Sequence, residues 1–94
     1  MNINAIDESG KLKEYDVILT YHSDEYNKDY IVYTDNIYNS NNELHIYINE
    51  YNKDSVENNV KDITDTNEYN KIKSEIDKIL VNMKNESDIL NYNE

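Results

Sequence analysis

Between residues 15 and 22 the chain alternates. Tyr15, Val17, Leu19 and Tyr21 fall on one side, and Asp16, Ile18, Thr20 and His22 on the other. A period of two sends successive side chains to opposite faces of an extended chain, so this stretch predicts a half-buried β-strand. Residues 44–49 repeat the pattern, with Leu44, Ile46 and Ile48 set against His45, Tyr47 and Asn49. Residues 29–34, rich in β-branched and aromatic side chains, predict another strand. Nearer the start, Ile3, Ala5 and Ile6 run into Asp7-Glu8-Ser9-Gly10. A polar stretch closed by Gly marks a tight turn and pairs the first two strands antiparallel. Residues 60–63 read as a short last strand or as a lead-in to the next element.

Past residue 65 the period lengthens to about 3.6, the repeat of an amphipathic helix. Tyr69, Ile72, Ile76, Ile79, Leu80 and Met83 fall on one stripe, which predicts a helix over 66–83. Asp65 with Glu68 three residues on is a capping-box-like start, because the Asp carboxylate can accept from a free N–H of the first turn. The pairs Glu68 and Lys71, and Glu75 and Lys78, add a few tenths of a kcal/mol at most. Residues 84–94 are polar except for Ile89, Leu90 and Tyr92, and are expected to fray. The pattern therefore predicts a single α+β domain over 1–83, an antiparallel meander of about four strands with the helix packed on one face. Tyr15, Val17, Leu19, Leu44, Ile46, Ile48, Ile72, Ile76 and Ile79 form its expected core.

Composition sharpens this in two ways. Pro is absent and Gly occurs once, so turns must be made by Asn, Asp and Ser. Hydrophobic residues are only 37% of the 94, and ten of them are Tyr with no Phe or Trp, so the core must be thin. The crowding of Asn, Lys and Tyr is the bias of a coding sequence rich in A and T, and much of the Asn reads as drift rather than design.

Charge and missing residue types narrow the function. Twenty Asp and Glu against nine Lys give a formal charge of -11. Such a charge repels phosphates and anionic membranes, so direct nucleic-acid or membrane binding is not expected. Basic protein surfaces, weak cation binding or plain solubility remain. Without Cys there are no disulfides, thiolate metal sites or Cys nucleophile, and without Arg there is no bidentate anion recognition. Gly-rich phosphate loops and the common hydrolase and metalloprotease motifs are also absent, so the chain reads as a non-enzyme with no cofactor. No leader-like start and no long apolar run point to the cytoplasm as the expected location. The glycosylation pattern Asn85-Glu86-Ser87 is, without a secretory signal, a chance match.

The candidate chemistry is confined to a few side chains. His22 and His45 fall on the polar sides of their strands and would share a site with nearby carboxylates if those strands were neighbours. The plainer reading is two solvated polar residues. Asp7, Glu8, Asp24, Glu25 and Asp29 form an acidic rim or ordinary loop acids. Tyr33, Tyr47 and Tyr51 are expected on the sheet face opposite the helix, alongside Ile18 and Ile31. Tyr offers an interface both apolar area and a hydroxyl, while cross-strand Tyr and Ile pairs also stabilise a sheet with no partner. The expected interaction surface is thus Ile18, His22, Ile31, Tyr33, His45, Tyr47 and Tyr51, covered by a second copy of the chain or by a different protein with a basic surface.

The order of elements resembles a family. Ile6-Asp7-Glu8-Ser9-Gly10, Glu14-Tyr15-Asp16-Val17-Ile18, Lys28-Asp29-Tyr30-Ile31-Val32-Tyr33, Leu44-His45-Ile46-Tyr47, then Ile63-Thr64-Asp65 with Glu68-Tyr69, are similar to the small acidic bacterial proteins grouped as domain of unknown function 1292. The resemblance runs over about residues 3–83. It implies an uncharacterised protein of low-GC bacteria and carries no catalytic residues over. The family's genes often neighbour one for a Holliday-junction-resolvase-like protein, an association that assigns no role to any residue. The chain departs from the family pattern in its Tyr and Asn content, in Tyr69 where Phe or Trp is more usual, and in its longer polar tail. Together these readings predict a non-catalytic protein–protein interaction module, with an inhibitor or immunity-type protein for a basic nuclease as the alternative.

Overall fold

A computed structural model describes residues 2–55 and 59–91, with the backbone alone for 84–91. The chain divides into two compact units, Met1–Ile63 and Thr64–Glu94. The first is a five-stranded antiparallel sheet in simple meander order: β1 (Asn2–Ile6), β2 (Leu12–Ser23), β3 (Lys28–Tyr38), β4 (Leu44–Tyr51) and β5 (Val60–Lys61). The second carries one helix, α1 (Thr66–Asn91). The class is α+β, as the change of period predicts.

The turns between strands are built by the residues that composition made look incidental. Asp7 Oδ1 accepts from the Ser9 N–H at 2.8 Å, the Ser9 hydroxyl at 2.6 Å and the Lys11 N–H at 3.0 Å. Gly10, at φ +83°, closes that turn in the left-handed region where a side chain is strained. The β3–β4 turn repeats the design with Asn alone. Asn39 Oδ1 accepts from the N–H groups of Asn41 at 2.8 Å and Glu43 at 3.0 Å, and Asn42 takes the Gly10 role at φ +61°. Asn27 and Asn36 are also left-handed, and the Asn52 side chain accepts from the Asp54 N–H. Asn tolerates this region because its short amide bonds locally to the backbone. At these positions Asn is structural rather than drift.

The first departure from strict alternation lies in β2. Val17 pairs with Tyr33 but Leu19 pairs with Val32, so Ile18 is an extra residue, a β-bulge. Directly paired residues share a face, so Tyr15 and Val17 join Tyr33 and Tyr47 on one side, while Leu19 pairs across to Val32 and Ile48 on the other. The expectation of Tyr15, Val17 and Leu19 on a common face is therefore corrected. Tyr15, Ile31 and Tyr33 form a buried cluster against which Ile3, Ala5, Val17, Tyr47, Tyr51 and Val60 pack. The opposite face holds the fully buried Tyr30 and Val32.

In α1 the first intrahelical bond runs from the Tyr69 N–H to the Asp65 carbonyl, and the Asp65 carboxylate accepts from the Glu68 N–H at 3.0 Å. Asp65 is therefore the N-cap that the sequence predicts. Ile72 and Ile76 are fully buried, whereas Met83, at the end of the predicted stripe, is 43% exposed. The helix continues beyond residue 83 to Asn91, through most of the segment expected to fray, and residues 92–94 lie outside the described residues. No described helix is long and apolar enough to cross a membrane.

Candidate functional site: an aspartate, histidine and tyrosine group on an aromatic shelf

A second irregularity in the sheet creates the site. Thr34 pairs with Ile46 and Tyr38 with Leu44, so residues 35–37 of β3 stand opposite His45 alone. The surplus chain is folded up by local bonds. Thr34 Oγ1 donates to the His45 carbonyl at 2.7 Å and accepts from the Asn36 N–H at 3.0 Å, while Asn36 Nδ2 reaches Asp16 at 2.6 Å. The bulge aims Asp35 back over β4. Its Oδ1 accepts from the Ile37 N–H at 3.0 Å, and its Oδ2 meets both His45 Nδ1 and the Tyr47 hydroxyl at 3.1 Å.

The Asp35 side chain is only 4% exposed, and that of His45 is 52% exposed. Burial works against the carboxylate's charge, but the bonds from Ile37 and Tyr47 and the nearness of His45 outweigh it, holding the Asp35 carboxyl below its usual range. For Tyr47 the effects add. Burial, the bond to Asp35 and that carboxylate's charge push its hydroxyl up to about 12.

Beneath this polar group lies an aromatic shelf. Tyr33 and Tyr47 stack at 5.2 Å between centroids with 15° between planes. Tyr15 meets both edge-on, at 5.2 and 5.5 Å, and the His45 ring lies 4.4 Å from that of Tyr47. Lys13 Nζ sits 5.5 Å over the Tyr15 ring, a cation–π contact. At the far side of the shelf Tyr33 donates to Asn49 Oδ1 at 2.6 Å, and Asn49 Nδ2 donates to Asp62 at 2.9 Å. Burial first, then Tyr15 and the Asp62 charge, push the Tyr33 hydroxyl up to about 12. Among the described residues no buried side-chain polar atom lacks a partner.

Of the seven residues expected to form one interaction surface, Ile31, Tyr33, Tyr47 and Tyr51 are gathered in the cluster, and the tilted His45 ring packs against it. Ile31 and Tyr33 are enclosed by the protein itself, at 0% and 5% exposure. Ile18 sits in the β2 bulge, away from the ring contacts. His22 pairs opposite Asp29, six residues along β3 from Asp35, which at strand rise is roughly 20 Å from the His45 site. The two histidines therefore share no site. His22 faces carboxylates with both ring nitrogens, Asp29 at 2.8 Å and Asp24 at 3.4 Å. At that end of the sheet a cleft of about 430 Å³ is lined by both signs of charge, among them Lys28, Asp29, Glu50 and Lys61. No group of three or more His, Asp or Glu among the described residues is placed to hold a metal ion.

Sequence reasoning placed Tyr15 in the core, where it lies, but not beside Tyr33 and Tyr47, and it missed Asp35, Asn49 and Asp62. The run Val17-Ile18-Leu19, three apolar residues in succession, was a visible break in the alternation that would have moved Tyr15 to the correct face. Asp35 carried no such signal, because it lay in what reads as a polar loop.

The fold and site define a small acidic α+β protein with an aromatic sheet face and a carboxylate-anchored histidine at its edge. The chain is similar to a UPF0473 protein of Leuconostoc mesenteroides, 63% identical over 30 residues. That stretch spans 32% of this chain and 30% of the relative. No protein-family model matches the chain, and no solved structure matches it. The likeness is thus to an uncharacterised bacterial protein, and the resemblance to domain of unknown function 1292 finds no match of its own.

Proposed function

We propose that the protein is a non-catalytic, cytoplasmic protein–protein interaction module whose partner presents a basic surface, and that it belongs with the domain of unknown function 1292 proteins it resembles in element order. The observation that carries this reading is the half-exposed His45 and half-buried Tyr47 standing on a rigid aromatic shelf, in a chain of net charge -11. A tyrosine-backed rim with acidic surroundings suits a Lys-bearing partner. Charge of this kind raises association rate and selects partner sign more than it adds affinity. A second reading, an inhibitor or immunity-type protein for a basic nuclease, draws on the same charge and demands tighter binding.

The test is capture of partners from bacterial extract at low and high salt, using the wild type and a double variant, His45→Ala with Tyr47→Phe. A specific partner that wild type retains and the variant loses supports the module. Recovery of one stoichiometric nuclease resistant to high salt favours the inhibitor. Equal recovery by both proteins removes the shelf from the reading, and a detected turnover by the purified chain overturns both.

A further inference from the structure

Two donors meet at Asp35, and their geometry fixes the tautomer of His45. The Tyr47 hydroxyl has one hydrogen and lies 3.1 Å from Asp35 Oδ2 and 3.3 Å from His45 Nδ1. His45 Nδ1 is itself 3.1 Å from the same oxygen. A carboxylate has only lone pairs to offer, so a bare Nδ1 at that distance would set lone pair against lone pair. The consistent arrangement has Nδ1–H and Tyr47 O–H both donating to Asp35. The lowered pKa of Asp35 agrees, since it keeps the acceptor ionised at neutral pH. A neutral imidazole carries one proton, and with that proton on Nδ1 the other nitrogen, Nε2, holds a lone pair.

We infer that Asp35 locks His45 in the Nδ1–H form, so that Nε2 is a fixed outward hydrogen-bond acceptor which receives a primary ammonium, a lysine side chain of a partner protein. The inference rests on the interaction-module reading and names the chemistry that its site recognises. Two observations select lysine. The ring is half-exposed and packs at a 43° tilt against that of Tyr47, which holds its orientation. The negative field at the site has more than one source: the charge of Glu8 acts on Tyr15 and Tyr47, and that of Asp7 acts on Tyr15. His22 offers no equivalent site, because carboxylates stand at both of its nitrogens.

The tautomer is read on the isolated, nitrogen-15-labelled protein by long-range proton–nitrogen correlation at a pH where His45 is neutral. In wild type the proton resides on Nδ1, and in Asp35→Asn the population moves toward Nε2–H. A wild-type His45 protonated on Nε2 overturns the inference and leaves the interaction reading standing. The ligand chemistry is then tested with tetralysine peptide at fixed salt. Wild type binds it about tenfold more tightly than His45→Phe, the loss expected for one hydrogen bond to a charged group. Saturable movement of the His45 Nε2 resonance accompanies that binding. Asp35→Asn, which keeps the ring but frees the tautomer, falls between. Equal binding by wild type and His45→Phe overturns the lysine assignment, because the acidic loops alone would then account for the peptide. If the tautomer and tetralysine results hold but extract yields no partner, it is the interaction reading that fails.

Discussion

Tyr33 gives the site its permanence at the level of single residues. Its ring is shut inside the sheet and its hydroxyl is committed to Asn49, which is in turn committed to Asp62. The folded state therefore prefers the neutral phenol. Its pKa is pushed from 10.0 to about 12 by burial, Tyr15 and Asp62, and that of Tyr47 rises to the same value. The sign follows from linkage. Raised pKa values contribute stability that is complete below pH 10, the unfolded value, and is lost as pH climbs through about 12. Urea denaturation at stepped alkaline pH should show stability falling across that window, with two tyrosines ionising late in the absorbance titration. In Tyr33→Phe the alkaline loss should shrink. That variant should also lose about 1–2 kcal/mol at neutral pH, because Asn49 is left with an unanswered buried acceptor. A flat alkaline profile in wild type would mean that Tyr33 is open to water.

Among the elements, β2 shows how far the sequence could be read and where it could not. Strand positions, the first hairpin and the Asp65 cap follow from period, Gly10 and capping chemistry, all of which are local. Face assignment is not local, because one surplus residue inverts everything beyond it. Ile18 is that residue, and strict alternation read through it assigns Tyr15 and Val17 to the wrong partners. The Asp35 bulge is harder still, since its geometry depends on Thr34, Asn36 and His45 meeting across two strands. The bulge makes an unusual deletion tolerable. Removing Ile18 leaves Val17 opposite Tyr33 and Leu19 opposite Val32, so the protein should still unfold cooperatively, about 1–2 kcal/mol less stable for the lost half-buried side chain. Removing Val32 instead takes a residue from the regularly paired part of β3, shifts one flank of that strand by a residue against both neighbours and should abolish the fold. Equal damage from the two deletions, measured by urea denaturation, would refute the bulge.

At the scale of the whole molecule, the helix brings fully buried side chains of its own. Among the described residues Ile72 and Ile76 are the fully buried side chains of α1, so Ile76→Asp, which puts an unpaired charge where the isoleucine was, should cost roughly 3–5 kcal/mol. A variant with unchanged melting temperature would show that Ile76 is not enclosed in solution. The stacked pair of Tyr33 and Tyr47 also gives the chain an optical label of its own. Coupled phenol rings at fixed tilt make near-ultraviolet circular dichroism strong, and with no Trp to mask them that signal is dominated by the sheet. The far-ultraviolet helical band belongs to α1. Melting followed at the two wavelengths therefore times the two units independently: superimposed curves mean one cooperative fold, and separated curves mean that the aromatic shelf outlasts or precedes the helix.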